Sequence, residues 1–387
     1  MGKLKNAFDN IRPEFEEKGK LHFLRSVYEG FESFLFVPSR TANSGASIHD
    51  AIDSKRIMSF VVIALMPALL FGMYNIGLQN YKAAGITDAS VMTMFAYGFL
   101  LMLPRIIVSY IVGLGIEFAF AQYKHEEIQE GYLVTGMIVP MILPINTPLW
   151  IMAVAIAFAV IFAKEIFGGT GMNIFNVALV ARAFMFISYP SQMSGDTVWV
   201  AHSSVLGLGN DLPEAFSQAT PLAEVGAGTA PSCSLSDAFF GFIPGSVGET
   251  SVVAILIGAA ILLITQIASW KTMLSVFVGG AVMAAIYHAA GLTEIPWYEH
   301  LILGGFCFGA VFMATDPVTS ARTEGGKYIY GFLIGVIAVT IRVLNPGYPE
   351  GMMFAILMMN MFAPAIDYCF VQSNIKHRMR RAKATKE

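Results

Sequence analysis

The chain has 387 residues, 56% of them hydrophobic and 13% charged, about half the charged share of an ordinary soluble domain. Recurrent apolar runs long enough to cross a bilayer exclude a soluble globular domain and place the chain in the polytopic membrane class. The formal net charge of -3 matters less than its distribution, and nothing in the sequence points to nucleic-acid binding.

Residues 1–56 hold nine Lys/Arg and eight Asp/Glu, with no apolar core that would predict a cleavable signal peptide. The amphipathic stretch Leu21–Phe36 reads either as a helix lying on the membrane surface or as an ordinary docking helix. Ile57–Gln79 is the first predicted span. Val91–Phe120, interrupted by Pro104-Arg105, is 30 residues long. That is roughly 45 Å as a helix, too long for one straight crossing of a core about 30 Å thick and too short for two. It predicts one long, kinked span.

Gly131–Leu143 is short and punctuated by Gly and Pro, and is followed by Pro144-Ile-Asn-Thr-Pro148. Leu149–Ala163 runs on into Lys164-Glu-Ile-Phe-Gly-Gly-Thr-Gly171. Asn173–Tyr189 then carries Asn173, Asn176 and Arg182 at helical spacing. Beyond a long polar segment come Ser251–Ser269, Met273–Ala290, Leu301–Thr315, Ile329–Leu344 and Gly351–Val371, giving ten predicted spans.

Charge orients them. The N-terminal segment has nine basic residues and the tail after Val371 has six, which predicts both ends in the cytoplasm. Lys124, Lys164, Lys271, Arg322 and Lys327 fall in connections assigned to the same side. No Lys or Arg lies between Arg182 and Lys271, nor in 291–300, as expected of external loops; Lys82 and Arg342 are mild exceptions. The third segment (GYLVTGMIVPMILP) resembles the eighth (LILGGFCFGAVFMATDP), and the two lie five spans apart. An odd offset inverts the second half, so an all-α fold of about ten helices in two inverted five-helix repeats is expected. The predicted organisation is a cytoplasmic segment 1–56, a first repeat 57–189, an external loop 190–250, a second repeat 251–371 and a basic cytoplasmic tail 372–387.

Ionisable groups inside spans are costly and point to function. Glu117, beside Gly113 and Gly115, Asp316 in Thr315-Asp316-Pro317, and Asp367 in the last span are such groups. Carboxylates near backbone carbonyls freed by Pro or Gly suit a sodium ion or a proton relay. The plainer alternative pairs them with Arg105, Arg182 or Arg342 to hold helices together. The Gly168-Gly-Thr-Gly171 turn is not a phosphate loop, since no Gly-Lys-Ser/Thr follows. Asn173 and Asn176, one helical turn apart, would suit a planar heterocycle, with glycine-mediated helix packing as the alternative. His202, His288 and His300 lack metal-ligand spacing. Cys233, Cys307 and Cys369 lie too far apart to build an iron–sulfur or zinc site. In the polar segment, Ser217-Gln218-Ala219-Thr220 offers a threonine hydroxyl with little bulk around it.

Phe36-Val-Pro-Ser39, Asp50-Ala-Ile-Asp-Ser-Lys-Arg56, Lys164–Gly171, Tyr189-Pro-Ser-Gln-Met-Ser-Gly-Asp196, Phe306–Pro317 and Asn345-Pro-Gly-Tyr-Pro-Glu-Gly351 together resemble the B subunits of sodium-translocating NADH:quinone oxidoreductases (Na+-NQR). The resemblance covers nearly the whole chain. The D subunit of the Rnf complex is similar too, but less so before the first span. The resemblance implies FMN joined through a phosphoester to Thr220, with Ser217 in the same motif, attached by a flavin transferase outside the cytoplasm. Gln218 stands where glycine is usual and Glu214 where aspartate is usual. It further implies non-covalent riboflavin near Asn173 and Asn176, and quinone near Gly113 and Glu117, with Leu114 replacing a common second glycine. A sodium pathway would use Glu117, Asp316 and Asp367.

The implied setting is a six-subunit complex in the bacterial inner membrane. Its other members would be an NADH/FAD/iron–sulfur subunit, an FMN-carrying C-type subunit and small membrane subunits. Electrons would pass from FMN through riboflavin to ubiquinone or menaquinone, driving sodium export. The other readings are an Rnf-type electron-transport subunit, a urea- or ammonium-like solute channel without redox activity, and a non-catalytic scaffold.

Overall fold

The computed structural model describes residues 2–15, 28, 32, 35, 54–86, 88–124, 131–213, 216, 218–345, 347–348 and 350–384. Among these the chain is helical, with no strand beyond a single Val205–Leu208 bridge. Most of the Leu21–Phe36 stretch lies outside the described residues, as do Glu214 and Ser217.

Five helices are long and apolar enough to cross a membrane. These are α2 (Ser54–Ala83), α3 (Val91–Lys124), α11 (Trp270–Ala289), α14 (Glu324–Leu344) and α15 (Met352–Ala384). The N-terminal α1 (Gly2–Phe15) precedes them. Between them lie shorter apolar pieces: α4 (Tyr132–Ile142), α5 (Leu149–Val160), α6 (Val177–Ser188) and α10 (Val252–Ile264). Isoleucines such as Ile63, Ile111, Ile257 and Ile286 stand exposed on these helices, as expected of side chains that meet lipid tails rather than water. The chain is a multi-pass membrane protein.

Several predicted spans break where the sequence placed continuous helices. Asn173 is not helical. Its amide closes a local turn, accepting from Gly171 N at 3.3 Å and donating to Phe175 O at 3.0 Å. Helix α6 starts only at Val177, capped by Asn176, whose side-chain oxygen accepts from Leu179 N. The amide's preference for a cap over a helix interior decides the boundary. Helix α5 ends in a π-helical turn, Ile161–Glu165, and the eighth segment splits into α12 (Trp297–Ile302) and α13 (Phe306–Phe308), the latter running into a π turn, Gly309–Met313. Helix α15 continues into the predicted tail as far as Ala384.

Close packing follows glycine. A Cβ on Gly279 would sit 2.1 Å from Phe332 O, and one on Gly335 would sit 2.2 Å from Val276 O. Helices α11 and α14 therefore touch backbone to backbone, the contact small residues permit in a bilayer. Gly77 and Gly98 bring α2 and α3 together in the same way.

Arg105 donates to the carbonyls of Pro144, Ile145 and Thr147, occupying the acceptors freed where α4 and α5 separate. The 190–250 segment is pinned by the buried amides of Asn75 and Asn80 and by the half-buried amide of Asn146. Asn75 donates to Ile243 O, Asn80 to Ala201 O and Asn210 O, and Asn146 to Thr197 O and Val200 O, while Tyr97 OH donates to Ser203 O at 2.6 Å. Three short helices, α7 (Pro190–Met193), α8 (Pro221–Gly226) and α9 (Leu235–Phe240), punctuate this segment.

Candidate functional site

Two clefts meet α6, one at Arg182 and the other at its first residues, Val177 and Ala178. On the face covered by the 190–250 segment, a cavity is bordered by Thr220, Trp199, Leu222, Thr250, Gly304 and Tyr348, with Arg182, Glu249 and Glu350 among its walls. Thr220 is half-buried at its rim. Its hydroxyl oxygen caps α8, accepting from Ala223 N at 3.2 Å, and Pro221 fixes the first helical position.

Arg182 is 3% exposed. Its Nη1 donates to Glu249 Oε1 at 2.6 Å and its Nη2 to Glu350 Oε2, which also accepts from Tyr348 OH at 3.1 Å. Arg342 donates to the carbonyls of His300 and Glu350. Arg182 thus bonds both carboxylates, while Arg342 stands beside them on backbone carbonyls.

The second cleft is bordered by Met58, Thr135, Lys164, Thr170, Asn173, Asn176 and Asp316. Asn176 donates from Nδ2 to Asp316 Oδ2 at 3.3 Å. Asp316 is further held by Thr319 Oγ1 and Val318 N, both at 3.0 Å. Both asparagine amides are therefore engaged within the protein. Thr170 Oγ1 is buried and has no partner among the described residues.

Lys164, carried on the π turn, pairs with Glu117 Oε1, and both side chains are buried. Glu117 Oε2 has no partner among the described residues. Next to it, Glu165 lies 3.7 Å from Lys124 Nζ. Gly113, one turn before Glu117, is covered by the Tyr132 ring: a Cβ there would fall 1.8 Å from it. The Tyr132 hydroxyl donates to Ser109 O at 3.0 Å.

Asp367 lies apart from both clefts, near the loop before α14. It accepts from Arg322 N at 2.7 Å, Thr323 N at 2.9 Å and Thr323 Oγ1 at 2.6 Å. None of the three sequence-selected acids meets Arg105, Arg182 or Arg342 in these bonds. Glu117 takes a lysine, Asp316 an amide and hydroxyl, and Asp367 a backbone turn. Sequence reasoning missed Lys164, Glu249 and Glu350 as partners because it screened acids inside predicted spans. The last two stand in connecting loops that fold back into the core. Among the described residues no group of three His, Cys, Asp or Glu is placed to hold a metal, and the cysteines stand free.

The family profile described as NQR2, RnfD, RnfE matches residues 41–376. A protein of Chromohalobacter salexigens, named as the B subunit of Na(+)-translocating NADH-quinone reductase, is 45% identical, over 98% of this chain and 96% of its own length. Proteins of the same name from Klebsiella pneumoniae strain 342 and Pseudoalteromonas atlantica are 42% and 41% identical, each over 98% of this chain and 99% of theirs. A profile spanning most of the sequence and relatives alike along nearly their whole length place this protein in the NQR2, RnfD, RnfE family.

Proposed function

We propose that the chain is the B subunit of a sodium-translocating NADH:quinone reductase and that it carries FMN on Thr220. The observation that carries the flavin assignment is the position of the Thr220 hydroxyl, at the rim of a cavity walled by small residues and by the Trp199 and Tyr348 rings. The residues fit the group: a tether at the rim, apolar and aromatic walls beside it, and buried polar atoms within the lining. Bound flavin supplies the electron-transfer chemistry that the side chains lack, and the protein supplies position and electrostatics. Thr220 holds the protein end of the tether. Gly195, Gly245, Gly304 and Gly305 leave the space beside it.

On this reading electrons pass from FMN through riboflavin to ubiquinone or menaquinone, coupled to sodium export, while NADH is oxidised by a partner subunit. The second cleft is the riboflavin site. Asn173 and Asn176 shape its wall, and Thr170 and Lys164 offer the polar contacts. Gly113 and Glu117 border the quinone region, and sodium, the transported substrate, passes along Glu117, Asp316 and Asp367. Both termini lie on the cytoplasmic side of the inner membrane, and a flavin transferase modifies Thr220 from outside.

The repeat reading is supported by corresponding packing. Helices α3 and α5 touch in the first half as α11 and α14 do in the second, and α2 meets α10 across the centre. On this reading the ten spans form two inverted halves, with the short, broken helices at matching positions.

The test is in-gel fluorescence of the subunit after denaturing electrophoresis, with mass spectrometry of the Thr220 peptide from the assembled complex. The expected result is an FMN mass on Thr220 that Thr220→Ala abolishes together with quinone reduction. Fluorescence retained by Thr220→Ala would refute the tether. Asp367→Ala is expected to weaken the stimulation of turnover by sodium; unchanged sodium dependence would reduce Asp367 to a structural clamp.

A further inference from the structure

Among the described residues two that are not glycine take a positive φ, Leu206 and Gln266. Leu206, at φ +49°, is also 86% exposed, more than any other large hydrophobic side chain described. The left-handed region is unfavourable to a residue with a Cβ, and glycine or asparagine takes it with least strain. A leucine held there with its side chain in the open points to a contact made outside the chain.

The turn that carries it is fixed from within. Val205 and Leu208 exchange N–H to carbonyl bonds at 2.9 Å, and both side chains pack against the core. The Asp211 carboxylate accepts from the Ser204 amide at 2.7 Å and from its hydroxyl at 3.1 Å. Leu206 is therefore displayed by a closed frame.

That frame stands on the ends of two membrane helices. The Tyr97 hydroxyl of α3 donates to Ser203 O at 2.6 Å, and a Cβ on Gly209 would fall 2.1 Å from the Tyr97 ring. On α2, the Tyr81 hydroxyl accepts from Gly209 N at 3.0 Å and Asn80 Oδ1 from Asn210 N at 2.8 Å. At 1.5 Å per residue, Asn80 lies about 17 Å from the middle of α2 and Tyr97 about 16 Å from the middle of α3. A hydrocarbon core about 30 Å thick ends about 15 Å from its midplane, and the headgroups reach about 20–22 Å. With the helices centred in the bilayer, both footings fall in the headgroup layer. From Thr197 to Asn210 the chain has no charged residue. Nothing in the turn resists contact with lipid, and nothing draws it to an oppositely charged surface. Ile63 on α2 and Ile111 on α3 are exposed, so the turn extends a surface that is already apolar.

We propose that the 203–209 turn is an anchor in the membrane interface, with Leu206 entering the boundary between headgroups and acyl chains. The closed frame spares the ordering cost that a flexible loop would meet on insertion. Anchored in this way, the 190–250 segment keeps a fixed depth relative to the bilayer.

The experiment uses the whole purified complex in phosphatidylcholine nanodiscs, which leave both faces open to soluble probes. A nitroxide is attached at Leu206→Cys, and the signal of the equally treated parent complex is subtracted. Power saturation compares collisions with oxygen, which concentrates in lipid, and with a water-soluble nickel chelate. Lipids labelled on the headgroup or along the acyl chain, in the same nanodiscs, calibrate depth. The oxygen-to-nickel ratio at Leu206→Cys is expected to fall between those of the two labelled lipids. A ratio below that of the headgroup label places the tip in water and overturns the anchor. Few collisions with either probe would mean that a protein surface covers the tip, which overturns it equally. Leu206→Asn, which suits the left-handed turn, is expected to keep the melting temperature of the complex in detergent. A fall of several degrees would show that Leu206 packs within the protein, and would end the proposal.

Discussion

Glu117 and Lys164 are 47 residues apart in sequence and buried against each other. Removing one member of such a pair strands the other charge in a dry interior, at about 3–5 kcal/mol. Glu117→Gln is therefore expected to lower the melting temperature of the purified protein in detergent, and Glu117→Gln with Lys164→Met to recover most of that loss. Equal stability in the parent and the single variant would show that the pair holds nothing. A fall in quinone reduction by Glu117 variants is interpretable only beside that measurement. Asp211, exposed in the 190–250 segment, has its carboxyl held below the usual range, first by the Ser204 amide and then by the Ser204 hydroxyl. A lowered value means that its stabilisation is present above the ordinary 3.8 and is lost as pH falls through the lowered value. Exchange of the Ser204 amide hydrogen, corrected for intrinsic pH effects, should quicken on strong acidification and in Asp211→Ala at neutral pH. Identical exchange in parent and variant would mean that Asp211 does not hold this turn. The acids themselves were legible in the sequence because a carboxylate in an apolar run is conspicuous. Their partners were not: Glu350 reaches Arg182 from 168 residues away, and no local pattern carries that distance.

The helix pair α11 and α14 illustrates what periodicity reveals and what it hides. Apolar length announced both helices. The sequence alone could not say that Gly335 meets the Val276 carbonyl. Gly335→Val is expected to destabilise the protein by roughly 1–3 kcal/mol or more, as overpacking does. Gly115→Ala, at a glycine with open space around it, is expected to leave the melting temperature nearly unchanged. A neutral Gly335→Val would mean that the two helices separate without cost. Breaks were the least legible feature. The Asn173 turn closes through its own neighbours Gly171 and Phe175, while the gap between α4 and α5 is held from a distance by the Arg105 contacts to the 144–147 carbonyls. Asp367 gives the same lesson at the start of α14, where it binds a backbone turn that hydropathy cannot register.

Across the whole molecule, single cysteines give a direct check of topology. In intact cells a membrane-impermeant thiol reagent is expected to label Ala230→Cys and to spare Lys383→Cys, both at exposed positions; the reverse pattern would invert the assignment. Charge asymmetry is what the expected topology rests on, and the paired short helices are what the expected inverted repeat rests on. Sequence did not show how near to each other the two clefts come. Asn176 borders one and Arg182 the other, six residues apart on α6, an axial rise of about 9 Å against a hydrocarbon thickness of about 30 Å. On the proposed topology, water entering both clefts would concentrate most of the membrane potential across that short stretch of helix. A charge displaced over one or two turns there would then work against nearly the full voltage, about 2.3 kcal/mol per elementary charge for each 100 mV.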